Sequence, residues 1–214
     1  MSRKPWPALA VGVLLVSSRA EADAIDKGTF ALGAERITGV FHADEKVANA
    51  DSSGTTAIAL FGNSVDSPLA GAWQFPRLGF DYFVTKGLSL GGSFVVLSRS
   101  PEGTNQTDIL VAPRVGFGYM FGRVVGIWPR GGISYWHASR SADNSDASID
   151  AHSFAFDVDV PLLIAPVRSF AITIGPVLDV GFAGRADANF LGAGTAVDTS
   201  FVQFGLSAGI VGLL

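Results

Sequence analysis

The connections between apolar segments alternate in length, and this constrains the chain more than any residue motif does. Thr85-Lys86-Gly87, residues 122–126 and residues 165–169 are short, whereas residues 42–71, 99–107, 139–151 and 183–198 are longer and rich in Asp, Asn, Ser, Thr and Gly. Between them lie eight segments, near 28–41, 72–84, 88–98, 108–121, 127–138, 152–164, 170–182 and 199–213. Each is long enough to cross a bilayer as a tilted strand, which takes about 9–11 residues. Three short turns on one side and four long loops on the other are the marks of a membrane barrel with both termini on the short-turn side. A soluble sandwich has no reason to sort its loops this way. The expected fold is all-β: a single eight-stranded antiparallel up-and-down transmembrane β-barrel.

Composition agrees. Charged residues make up 16% of the 214, below the roughly 25% usual in soluble domains. Apolar residues make up 48%, yet no apolar run in the body of the chain approaches the roughly 20 residues of a membrane helix. The chain has no cysteine, which excludes disulfides, Cys-based metal sites and a lipoprotein anchor. A net charge of −4 leaves no basic footprint for nucleic acid.

Residues 1–22 read as a secretory signal peptide. Arg3 and Lys4 supply the positive start, 8–16 a short apolar stretch, and Ala20-Glu21-Ala22 a small-x-small cleavage site. Residues 23–214 then form the outer-membrane β-barrel domain.

Within the segments a period of two sorts residues by size. Phe154, Phe156, Val158, Val160 and Leu162 share one face and Ser153, Ala155, Asp157 and Asp159 the other. Val202, Phe204, Leu206, Ala208 and Ile210 likewise oppose Gln203, Gly205, Ser207 and Gly209. Bulky apolar side chains facing lipid and small polar ones facing a narrow interior satisfy this pattern. Aromatics near segment ends suggest interfacial girdles: Phe30, Tyr82, Tyr119, Phe121 and Phe170 toward the short turns, and Phe41, Trp73, Phe75, Tyr135 and Phe182 toward the long loops. Pro76, Pro113, Pro129, Pro161 and Pro176 fall inside segments and predict bulges there.

Pro-Arg-x-Gly occurs three times, at 76–79, 113–116 and 129–132. Parity turns each Arg inward. Glu35, Arg77, Asp81, Arg114, Arg130, Asp157, Asp159 and Asp179 therefore form an expected interior charge network. Eight strands leave an interior just wide enough for side chains to fill. A salt-bridged plug is the favoured reading over an ion pathway or a proton-linked site.

The chain resembles the small outer-membrane β-barrels of the OmpA/OmpW-like kind over residues 28–214. The likeness rests on Pro-Arg-Leu-Gly-Phe-Asp-Tyr-Phe (76–83), Leu-Ser-Leu-Gly-Gly-Ser (88–93), Ala-Pro-Arg-Val-Gly-Phe (112–117) and Trp-Pro-Arg-Gly-Gly (128–132). It implies the cell outer membrane, with outer-membrane lipid and the barrel-assembly machinery as partners; a monomer is the expectation for eight strands. The family spans structural, surface-adhesive and solute-conducting members, so fold alone does not fix the role. A terminal aromatic is usual in such barrels, but this chain ends Gly212-Leu213-Leu214.

His137-Ala138-Ser139 resembles the His-x-Ser of outer-membrane lipid A deacylases, with Asp143, Asp146 or Asp150 as the orienting acid. The Asn that follows the Ser in that family is Arg140 here, and the reading is non-enzymatic. His42 and His152 lack metal-ligand spacing, and no cofactor is expected. Asn105-Gln106-Thr107 is a chance sequon, and the acidic stretch 139–151 is read as a solvated loop. The expected role is a structural or surface-interaction barrel. The alternatives are a narrow transporter for a small solute, with Ala57-Ile58-Ala59-Leu60-Phe61 lining its mouth or extending a strand, and a secreted soluble ligand-binding barrel.

Overall fold

The computed structural model describes residues 22–47, 50–51, 54–60, 71–100, 103–142, 147–190 and 193–214. The signal-peptide reading of 1–22 falls almost wholly outside them. The strands are β1 (Ala22–Ala24), β2 (Phe30–Val47), β3 (Ala50–Asp51), β4 (Thr55–Leu60), β5 (Arg77–Phe83), β6 (Leu88–Arg99), β7 (Thr104–Phe117), β8 (Tyr119–Phe121), β9 (Val125–Ile127), β10 (Arg130–Ala142), β11 (Ser148–Asp159), β12 (Leu162–Val167), β13 (Phe170–Phe190) and β14 (Ala193–Leu213). One helical turn, α1 (Gly71–Gln74), precedes β5.

Eight of these strands close a ring. The antiparallel order β2-β5-β6-β7-β10-β11-β13-β14 returns to β2 through the β14–β2 ladder. Toward the short turns, β8 and β9 continue the walls of β7 and β10, and β12 continues that of β11. The breaks fall at Gly118, at Trp128-Pro129 and at Val160-Pro161. Closure of the lower ring pairs each of its strands on both sides, which removes most of the exposed edge of an isolated sheet.

The first long connection departs from a simple loop. β4 folds back onto β2, pairing Thr38 with Leu60 and Ala43 with Thr55. The shorter β5 pairs with the lower part of β2, Phe30 with Tyr82 through Glu35 with Arg77. The segment 72–84 is thus strand only from Arg77 on. Pro76 has no N–H for a ladder, and the residues before it turn into the barrel. The other long connections are largely strand as well: β13 and β14, 21 residues each, absorb most of 183–198.

Bulges do not follow the prolines as expected. Ladder shifts occur at Arg36, between Ile164 and Val167, and between Gly181 and Gly184. Pro113 and Pro176 sit in register opposite Gly92 and Leu206. Only the second shift contains a proline, Pro166.

The inside of the barrel is stacked in three layers. Toward the short turns lies an apolar cluster including Ile25, Phe83, Trp128, Leu163 and Val211. A charged layer crosses the middle. Above it a second apolar cluster holds Trp73, Phe75, Leu110, Trp136 and Phe201. Phe41, Trp73 and Phe75 are buried, which corrects their assignment to the outer girdle. Phe41 shares inward parity with Ala43, and the turn at 71–76 carries Trp73 and Phe75 into the lumen.

Candidate functional site: a charged layer across the barrel

The Pro-Arg-x-Gly repeat has a steric logic. On a strand, positions two apart share a face, so the Arg and the Gly of each motif both look inward. Arg130 stands directly opposite Gly116, and Arg114 directly opposite Gly132. A Cβ on Gly116 would lie 2.8 Å from Arg130 Cγ, and one on Gly132 2.9 Å from Arg114 Cβ. A Cβ on Gly79 would lie 2.5 Å from Glu35 Oε1. Each glycine clears the space that a charged side chain from the neighbouring wall occupies.

Into that space the chain places four guanidinium groups and five carboxylates. Glu35 bridges two arginines. Its oxygens accept from Arg114 Nη1 and Nη2 at 2.7 and 2.6 Å and from Arg130 Nη1 at 2.6 Å. Arg114 also donates to both oxygens of Asp81, at 3.3 Å from Nε and 2.5 Å from Nη2. Arg130 donates to Asp159 from Nε at 3.0 Å and Nη2 at 2.5 Å, and stacks 4.7 Å over the Trp128 ring. Arg77 reaches Asp157 at 3.3 Å.

Arg36, the fourth guanidinium, is the residue that parity misses. It follows the inward-facing Glu35, so regular alternation would place it in lipid. Instead its φ is 52°, a left-handed conformation rare for such a side chain. The resulting bulge turns both neighbours inward. Arg36 binds Asp179 through paired bonds of 2.6 and 2.8 Å and donates to the Trp73 carbonyl at 2.5 Å. The signal was legible in principle: two adjacent charges in a membrane strand leave one facing hydrocarbon unless the strand bulges.

The turn at α1 sits directly on this layer. The Trp73 carbonyl also accepts from Arg77 at 3.3 Å, and its indole donates to Ser134 at 2.8 Å. Gln74 donates to Gln203 at 3.0 Å, and Gln203 donates to Asp179 at 2.9 Å. The sequence points to Trp73 only as a girdle aromatic and to Gln203 only as an inward-facing residue, and it does not mark Gln74 or Ser134, because none of the four carries a charge. Pairing on this scale is what charges taken out of water require. A small space within the layer, about 20 Å³, is lined in part by Arg77, Ser93 and Asp157. Arg77 Nε, Ser93 Oγ and Asp157 Oδ1 have no protein partner among the described residues. That space holds about one water.

The outer surface is the inverse of a soluble protein's. Leu78, Val96, Phe156, Leu178, Phe204 and Leu206 are all more than 40% exposed, while Arg77, Asp81 and Asp179 are at most 3% exposed. An apolar belt on the outside and ion pairs on the inside suit hydrocarbon and not water. This chain is a small outer-membrane β-barrel. The aromatic girdle of the barrel includes Tyr82, Tyr119 and Phe121 below and Phe154 and Phe182 above. Its place is the cell outer membrane, where closed barrels of this architecture reside.

No family model matches the barrel, and no curated protein matches it by sequence. Among similar solved structures is the outer-membrane protein AlkL in lipid bilayers, 14% identical, covering 100% of this chain and 97% of that chain with a TM-score of 0.49. Neisserial surface protein A is 14% identical, covering 87% and 99% with a TM-score of 0.42. The attachment invasion locus protein Ail of Yersinia pestis is 14% identical, covering 86% and 99% with a TM-score of 0.40.

His137 and Ser139 lie on the outer face of the barrel, with Ala138 between them pointing in. Asp150 stands opposite Ser139 on β11, but no hydrogen bond joins the three among the described residues. Asp143 and Asp146 lie outside the described residues.

Proposed function

We propose that this barrel is a non-conducting structural or surface-interaction protein of the outer membrane, acting as a monomer. The observation that carries this is the ion-paired layer across the lumen, in which the spaces lined by the described residues around Glu35, Arg77 and Arg130 are water-sized. Apolar clusters back it on both sides, and α1 lies on top of it. With the interior filled, the parts free to meet a partner are the long hairpins. The purified barrel in planar bilayers is expected to show no steady conductance. A stable open channel would overturn the reading. The monomer assignment predicts a single-chain mass in mild detergent, and a dimer mass would contradict it.

A second reading is entry of an apolar solute through the wall. Among the described residues, β4 pairs only with β2, and Val95–Arg99 of β6 pair only with β7. The upper seam between β4 and β6 therefore carries no described ladder. Solute uptake by cells that is abolished by charged substitutions along the seam, Ile58→Asp with Val96→Asp, in a barrel that keeps its heat-modifiable mobility would favour this reading over the first.

A further inference from the structure

We propose that the outer face of β10 and β11 carries a transition-metal site, in which His137 and His152 together chelate one Cu²⁺ or Zn²⁺ ion. The inference concerns the outside of the wall and does not depend on the filled interior. The two histidines are 15 positions apart in the chain, which is no ligand spacing. The ladder makes them neighbours: His137 stands directly opposite His152. Opposed residues on antiparallel strands share a face and have Cβ atoms about 4.5–5.5 Å apart. Bonds from zinc to imidazole nitrogen are about 2.0–2.1 Å, so one ion fits between two rings carried at that separation. Each of the two strands is paired on both sides at this height. The backbone that sets the spacing is therefore fixed before an ion arrives, which lowers the cost of ordering the chelate.

The groups around the pair favour a cation. Asp150 lies two residues before His152 on the same face, opposite Ser139, which lies two residues beyond His137. The four side chains make a rectangle with two imidazoles below and two oxygen donors above. No hydrogen bond or ion pair within the protein engages His137, His152 or Asp150 among the described residues. Asp150 also stands opposite Asp187 on β13, and like charges directly opposed repel. Arg185, opposite His152, donates from Nε to Asp187 at 3.0 and 3.3 Å. It thus offsets Asp187 and leaves Asp150 uncompensated. On the other flank Ile109 of β7 faces His137 and brings no charge. Just below the histidines are Tyr135 and Phe154, their rings 4.9 Å apart, so the site stands at the water side of the girdle. Two imidazoles and a carboxylate suit Cu²⁺ and Zn²⁺, whereas Ca²⁺ and Mg²⁺ take oxygen ligands. Among the described residues no three His, Asp or Glu side chains already converge on one point. Capture of the ion therefore turns the two half-buried rings and the exposed Asp150 carboxylate about their side-chain bonds while the backbone stays in place.

The test uses the full barrel folded in detergent, without an affinity tag and in chelator-treated buffer. Cu²⁺ alone is the probe, read by calorimetry and by pulsed electron paramagnetic resonance, which counts the coordinated imidazoles. One ion per chain with two imidazoles is expected. Zn²⁺ in excess should displace it, and Mg²⁺ or Ca²⁺ should not. H137A and H152A should each weaken binding at least about tenfold, since losing a ligand costs no less than losing an outer-shell partner. Any residual Cu²⁺ should then show a single imidazole. His42, the third histidine of the chain, bonds Thr56 on β4, and H42A should keep both the affinity and the two-imidazole signal. A single imidazole in the wild type, undiminished binding to H137A or H152A, or loss of an imidazole in H42A would overturn the proposal. So would displacement by Mg²⁺ or Ca²⁺, which would reduce the site to an acidic surface. Heat-modifiable gel mobility of each variant without metal reports separately on whether the barrel itself has formed.

Discussion

Arg114 stands directly opposite Gly132 on the neighbouring strand, and a Cβ on that glycine would meet Arg114 Cβ at 2.9 Å and the Pro113 carbonyl oxygen at 2.1 Å. The contact with backbone leaves no flexible group to move aside. Gly132→Ala should therefore destabilise the barrel by about 1–3 kcal/mol, the usual range for overpacking. Gly194→Ala, where nothing lies within 4 Å, should be near neutral. Urea midpoints followed by heat-modifiable mobility would compare the two. Equal midpoints would show that the glycine is not there for space.

Glu35 accepts hydrogen bonds from both Arg114 and Arg130 and so offsets the repulsion between the two guanidiniums. Glu35→Gln removes the negative charge and leaves two buried guanidiniums facing one neutral amide. The expected loss is about 3–5 kcal/mol, as for breaking one partner out of a buried ion pair. Folding yield into detergent micelles and the unfolding midpoint would both fall. A wild-type midpoint would mean that Asp81 and Asp159 suffice for the two arginines.

Arg36 and Asp179 offer a double-mutant cycle. Arg36→Met alone leaves Asp179 buried without its guanidinium partner, Gln203 still donating to it, and about 3–5 kcal/mol of stability should be lost. Adding Asp179→Leu removes the stranded charge and should recover most of that loss, since apolar replacements of buried ion pairs are often neutral. Purely additive losses would contradict direct coupling.

Leu206 is 54% exposed on the outward face near the middle of the apolar run Val202–Ile210 of β14. In a bilayer, Leu206→Arg should cost about 2–4 kcal/mol, while Ser200→Arg near the rim should cost about 0–1 kcal/mol. Reversible unfolding from lipid vesicles gives both numbers. A neutral Leu206→Arg would place that face in water and end the membrane reading.

Strand number, strand direction and the lipid-facing set were legible because each follows from a period of two and from turn length. What parity could not deliver are the places where the chain leaves that period. Arg36 turns inward only through a left-handed φ that no local sequence rule requires of Arg. Trp73 and Phe75 carry the aromatic signature of a girdle, and what redirects them is the turn at α1, held by tertiary bonds from Trp73 to Arg36 and Ser134. The extra length of β13 and β14 was hidden because their upper halves expose both faces to water, where alternation of apolar and polar residues has no cause.

That paired length has a mechanical result. Beyond Phe182 and Val202, β13 and β14 continue upward as a ladder from Gly184–Thr199 to Phe190–Ala193. Seven residues of tilted strand reach roughly 18 Å. This paired stretch up to Phe190 and Ala193 stands clear of the lipid surface, so whatever approaches the cell from outside meets it before the lipid-embedded wall of the barrel.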